Sequence, residues 1–167
     1  MSMFIIEAII LCLVFTLSCF ALVDGTIKNP ERAKLSYPEP IIQRLIDLGK
    51  VSGDRPLTLI ERIKKKWPAI ILLGVIIGVV VRYVNKCTTF ISAFAISYLL
   101  WLIVDWYDAL ILDCLWFCHS KRCIIPGTED LVDAYHDYMF HIKGSAVGML
   151  IGLPTCLIAG IVALILA

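Results

Sequence analysis

The chain predicts an all-α polytopic membrane protein, built from four transmembrane helices with interfacial amphipathic helices between them. Three observations carry this expectation. Hydrophobic residues make up 60% of the 167 residues and the mean hydropathy is +0.88, whereas a soluble domain holds roughly 45–50% apolar residues. Apolar runs of about the twenty residues that cross a bilayer core of roughly 30 Å recur along the chain. The segments between them are polar and hold most of the lysine and arginine.

The composition also excludes some function classes. A formal net charge of +1 and a pI near 7.6 are not the dominant basic surface of a nucleic-acid-binding protein. Seven cysteines with no C-x-x-C pair do not read as an extracellular disulfide framework.

The chain is expected to form a single integral membrane domain over residues 1–167, with spans at 3–23, 67–84, 88–117 and 144–166. The first run carries Glu7, has no basic residues before it and no small-x-small site after it, so it is read as a retained span rather than a signal peptide. Glu7 is expected near the headgroups, or paired with a basic residue such as Arg82.

Residues 24–66 hold ten of the fifteen Lys and Arg residues and are assigned to the cytoplasm by the positive-inside rule. After Tyr37-Pro38-Glu39-Pro40, Ile41, Ile42, Leu45 and Leu48 recur at helical spacing and Gly49 follows as a cap, so a short amphipathic helix is expected on the membrane surface. Thr58-Leu59-Ile60-Glu61 has the form of a capping box, which starts a helix near Leu59. Lys64, Lys65 and Lys66 then reach the interface.

The second span carries Gly74-x-x-x-Gly78, a small-residue face that lets helices approach closely. The third, 88–117, is about 45 Å long as a continuous helix, more than the hydrocarbon core needs, so it must tilt, break or project. After a turn at 118–127, Thr128 is expected to cap an amphipathic helix that places Glu129, Asp133, His136, Asp137 and Lys143 on one side. The last span opens with Gly144-x-x-x-Gly148-x-x-x-Gly152, suited to self-association, and Pro154 is expected to kink it. Four spans with both polar loops, 24–66 and 118–143, in the cytoplasm put both termini outside.

Residues 105–143 hold all three histidines and seven of the fourteen acidic residues. Carboxylates and imidazoles beside lipid are costly unless paired, hydrated or bound to an ion. On a continuous helix Asp105 and Asp108 lie about 60° apart and face one side, with Asp113 turned away. Asp133-x-x-His136 puts a carboxylate and an imidazole on one face, and Asp137 and His141 form an i,i+4 pair. If the two stripes meet, Asp105, Asp108, His119, Glu129, Asp133 and His136 are the candidate ligands of a divalent metal ion (Mg, Mn, Zn or Fe), with Asp105, Asp108, His141 and Lys143 as candidate catalytic groups acting on a lipid or phosphate-bearing substrate. No HExxH, histidine box or full aspartate motif accompanies them, and Cys114, Cys118, Cys123 and His119 match zinc spacing weakly.

Two other functions stay open on the same residues. The cluster can move protons or cations, or it can be a structural feature of a small non-catalytic membrane subunit. Beyond the bilayer itself, the partner expected is a second copy of the chain, met through the glycine-rich faces.

Tyr107-Asp108-Ala109-Leu110, Ile125-Pro126-Gly127-Thr128-Glu129-Asp130, Tyr135-His136-Asp137-Tyr138 and His141-x-Lys143-Gly144 together resemble small uncharacterised membrane proteins of anaerobic Gram-positive bacteria. The resemblance covers most of the chain after Trp67 and part of the preceding loop. It implies a bacterial cytoplasmic membrane and no activity.

Overall fold

The computed structural model describes residues 3–53 and 59–167, and every regular element in them is helical. Six α-helices are α1 (Met3–Lys28), α2 (Glu39–Asp47), α3 (Leu59–Tyr83), α4 (Phe90–Tyr107), α5 (Val132–Tyr135) and α6 (Tyr138–Ile165). Four segments, Met3–Lys28, Lys64–Tyr83, Phe90–His119 and Val132–Ile165, are long and apolar enough to cross a membrane. Their large side chains are widely exposed, among them Leu13, Leu17, Leu72, Ile91, Leu150 and Ile165. A soluble protein does not leave such continuous apolar surface in water, whereas lipid covers it at no cost.

The chain separates into two compact units. The first contains residues 3–11, 59–105 and 146–167 of the described chain. Its helices pack through glycine. A Cβ on Gly74 would stand 2.8 Å from Ile158 and from the Thr155 carbonyl, and one on Gly78 would stand 2.7 Å from Val162. Gly148 and Gly152 are covered in the same way by Asp105 and Trp101, and the Trp101 indole N–H donates to the Gly148 carbonyl at 3.1 Å. Small residues let α3 and α4 each approach α6 this closely. The glycine faces expected to serve self-association are therefore filled by the chain's own helices, while Gly144 has nothing within reach. Helix α6 runs on through Pro154 to Ile165. The guanidinium of Arg82 closes its end, donating to the carbonyls of Leu166 and Ala167 at 2.9 and 3.2 Å.

The second unit contains residues 12–53 and 106–145 of the described chain. Its core is polar-rimmed and aromatic: Tyr37, Ile41, Leu45, Phe117, Ile125 and Tyr135 are all buried. Helix α2 forms where the spacing of Ile41, Ile42 and Leu45 predicts it, and Gly49 follows at φ +66° as expected for a cap. Its apolar face is covered by protein, however, not turned to a membrane surface. Tyr37 and Tyr135 meet edge-on at 6.0 Å and Phe117 lies 5.0 Å from Tyr37. Leu48 alone of the predicted stripe is exposed.

Several element boundaries differ from expectation. Helix α1 continues five residues beyond Val23 to Lys28, where the Thr26 hydroxyl donates back to the Leu22 carbonyl at 2.9 Å. The third span is not one α-helix: α4 ends at Tyr107, a π-helical segment follows over Asp108–Trp116, and a 3-10 turn closes it at Phe117–His119. The helix expected from Thr128 does not form there. The Thr128 hydroxyl turns back to the Ile125 carbonyl at 2.7 Å, and the Glu129 carboxylate accepts from the Gly127 N–H at 2.8 Å, so both cap a tight turn instead of a helix start. Only the single turn of α5 remains. Asp137 then accepts from the Phe140 N–H at 3.0 Å and caps α6, which begins at Tyr138, six residues ahead of the predicted span. Helix α3 starts at Leu59 as predicted, but the capping residue proposed for it, Thr58, lies outside the described residues.

Candidate functional site

The π-helical segment is the feature around which the polar residues of the second unit are placed. In an α-helix Asp108 and Asp113 point about 140° apart, whereas an i→i+5 ladder sets residues five apart over one another. The Phe117 N–H reaches both the Leu112 and Asp113 carbonyls, so the widened register persists to the end of the segment. The thiol of Cys19 in α1 donates to Asp108 Oδ1 at 3.8 Å. One turn earlier on α1, Thr16 meets the Tyr107 hydroxyl at 2.9 Å. The Thr16 hydroxyl donates to the Cys12 carbonyl at 2.8 Å, so the Tyr107 hydroxyl is the donor to Thr16.

Asp113 and His141 meet within the second unit. Nδ1 of His141 lies 2.9 Å from Asp113 Oδ2, with side-chain exposures of 4% and 30%. The imidazole is wedged between aromatic rings, 5.2 Å from Phe117 and 5.2 Å from Phe140, edge-on to each. The carboxylate accepts from Nδ1–H, which orients the ring and leaves Nε2 as the nitrogen turned away from Asp113. Nε2 is buried and has no hydrogen-bond partner among the described residues. An orphaned polar atom costs about 1–3 kcal/mol, a cost that is retained here beside aromatic rings.

The expected site residues are distributed otherwise than the two-stripe reading required. Asp105 belongs to the first unit, against Gly148, while Asp108 belongs to the second. His119 and His136 do come together, their ring centroids 4.9 Å apart, with the Tyr138 hydroxyl 3.0 Å from His119 Nε2. Glu129 folds onto the Gly127 turn. Asp133 and Lys143 are exposed. The i,i+4 pairing of Asp137 with His141 is replaced: the helix is interrupted at His136, which makes Asp137 a cap of α6, and His141 finds Asp113 on another element. Among the described residues no group of three or more His, Cys, Asp and Glu side chains is placed to hold a metal ion. Neither does Glu7 pair with Arg82; its carboxylate accepts from the Asn85 side chain at 2.7 Å.

Asp113 is the residue that sequence reasoning left out. An α-helical wheel turns it away from Asp105 and gives no sign that it meets His141 of α6. The overlong third span was the available signal, since a stretch of about 30 residues had to break or widen somewhere.

No known protein family, curated protein or solved structure matches this chain.

Proposed function

We propose that this chain is a proton-translocating membrane protein whose working group is the Asp113–His141 pair. One observation carries the reading: an imidazole that is 4% exposed, oriented by a carboxylate through Nδ1, has a buried Nε2 with no hydrogen-bond partner among the described residues. A lipid headgroup or a phosphate ester needs a cavity to reach such an atom, and a proton does not. Carboxylate and imidazole groups of membrane proteins are usual elements of proton relays, and a pair at the cytoplasmic end of the spans can take up or deliver protons there. When Nε2 takes up a proton, the imidazolium that results faces Asp113 at 2.9 Å and is stabilised there. When Asp113 turns away, that stabilisation is lost and the proton leaves.

The π-helical backbone over Asp108–Trp116 supports a functional role for Asp113, because such segments are frequent at functional sites. The weighting of Lys and Arg towards residues 24–66 and 118–143 supports a cytoplasmic position for both and an outside position for both termini. The resemblance described above supports a bacterial cytoplasmic membrane. A divalent-metal enzyme is the weaker reading, since among the described residues no group of three or more His, Cys, Asp and Glu side chains is placed to hold a metal ion.

The test is proton flux into liposomes that hold the purified protein and an internal pH dye, driven by a potassium diffusion potential. Flux in the wild type that falls at least about tenfold in His141→Gln and Asp113→Asn supports the reading, each factor of ten being about 1.4 kcal/mol at the rate-limiting step. Wild-type liposomes no leakier than empty ones would sink it.

A further inference from the structure

In the first unit Glu7, on α1, and Asn85, just past the end of α3, are joined side chain to side chain, Asn85 Nδ2 donating to Glu7 Oε2 at 2.7 Å. A carboxylate only accepts, so the amide must face it with nitrogen, and the orientation of Asn85 is settled by its partner. One oxygen of each group is then left over. Both of these atoms, Glu7 Oε1 and Asn85 Oδ1, are buried and have no hydrogen-bond partner among the described residues. Turning the amide would not help, because it would press two acceptors together at the first contact. The pair therefore leaves two buried acceptor oxygens without a donor, in the unit whose core also buries Val81 and Cys87.

The nearby cations do not neutralise this group. Arg82 is drawn to the carbonyls of Leu166 and Ala167. Lys86 is exposed, on a backbone bent to φ +59°. The end of α3 adds carbonyl dipoles of the same sign as the carboxylate. Its last turn is held by Val84 N–H to the Val80 carbonyl at 2.8 Å and Cys87 N–H to the Val81 carbonyl at 3.1 Å, so the turn that carries Asn85 is fixed in place.

We propose that Glu7 and Asn85 bind a small monovalent cation of the sodium class. Oxygen donors from one carboxylate and one amide are the ligand chemistry of hard cations. A single carboxylate balances one positive charge, where the divalent sites known for this chemistry gather several. Glu7 Oε1 and Asn85 Oδ1 are the two protein ligands, and the bond from Asn85 Nδ2 to Glu7 Oε2 holds them in register. The site stands whether or not the Asp113–His141 pair carries protons, and its test does not read proton flux.

Binding of radioactive sodium to the detergent-purified protein measures the site directly. Saturable binding that unlabelled sodium displaces and choline does not, lost in Glu7→Gln and weakened at least tenfold in Asn85→Ala, is the expected result. Thermal unfolding of the same samples guards against variants that fail to fold. Sodium chloride should raise the wild-type Tm by about 5 °C over choline chloride at equal ionic strength, because a ligand of the folded state stabilises it by mass action. Folded Glu7→Gln should show no such rise. Wild-type protein without saturable sodium binding overturns the proposal, as does calcium displacing sodium at micromolar concentration, which would mark a divalent site.

Discussion

The hydroxyl of Tyr37 donates to the backbone carbonyl of Cys123 at 2.9 Å, joining two segments 86 residues apart in the chain. Tyr37 is 3% exposed and packs on Phe117 and Tyr135, so its ring and its hydroxyl serve the same core. Burial pushes the phenol up from its ordinary value, which favours the protonated form that donates. Tyr37→Phe retains the ring and leaves the Cys123 carbonyl without this donor. The expected loss is about 1–2 kcal/mol, read as a lower midpoint in denaturant titration. Tyr37→Ala should cost clearly more, about 3–5 kcal/mol, by opening a cavity.

Glycine substitutions along α6 should separate by position. A Cβ at Gly152 meets the Trp101 indole, and one at Gly74 of α3 meets the Thr155 carbonyl and the Ile158 side chain at 2.8 Å. Gly152→Ala and Gly74→Ala are each expected to destabilise the protein by about 1–3 kcal/mol. Nothing lies near Gly144, so Gly144→Ala should be neutral or gain up to about 1 kcal/mol from helix propensity. Tm values in one detergent check all three, and a Gly144→Ala loss as large as that of Gly152→Ala would contradict the packing described.

The long spans were legible because apolar length is a local property of sequence, and so was the Ile41, Ile42 and Leu45 face, which needs only helical spacing. The site was legible in composition and not in geometry. His141 was singled out with Asp137, its i,i+4 neighbour, but Asp137 is spent on capping α6 at the Phe140 N–H. Asp113 was set aside because an α-helical wheel misplaces it, and no residue pattern in Asp108–Trp116 announces a π register. Glu7 offered a carboxylate in an apolar run, yet the choice of Asn85 over Arg82 depends on where α6 ends, since the Leu166 and Ala167 carbonyls take the guanidinium. Local signals locate elements; the pairing of polar groups follows from breaks and caps that tertiary structure selects.

Acid should loosen the contact between α2 and the segment before α5. Arg44 grips Asp130 with two hydrogen bonds of 2.9 Å. That hydrogen bonding, with the guanidinium charge, holds the Asp130 carboxyl below its ordinary value. The unfolded chain titrates near 3.9, so the folded state gains from the ionised form. The gain is fully present above about pH 4 and disappears as pH falls through the lower folded value. Asp130→Asn should therefore differ from wild type at pH 7 and converge with it at the acid end of a pH–Tm series. Both partners face solvent, so the difference should be small and should shrink in high salt.

Cys123 provides the opposite sign at alkaline pH. It is fully buried in the core of the second unit, and that burial pushes its thiol up to about 11, with the hydrogen bond from Ser120 and the Arg122 charge acting weakly the other way. An unfolded thiol titrates near 8.5. The folded state thus favours the neutral form, and its contribution is complete below about pH 8.5 and lost as pH rises towards the folded value. Two outcomes follow from the one cause. Stability should decline between about pH 8.5 and 11 in wild type and less steeply in Cys123→Ala, once each is normalised to its own Tm at pH 7. Because the thiolate is the nucleophile, maleimide should also label Cys123 at pH 7.5 at least about tenfold more slowly in folded protein than after denaturation, as peptide mapping can read. Rapid labelling of the folded protein would mean that the Tyr37–Cys123 core opens readily, and the hydrogen bond with which it is closed would then contribute far less than predicted for Tyr37→Phe.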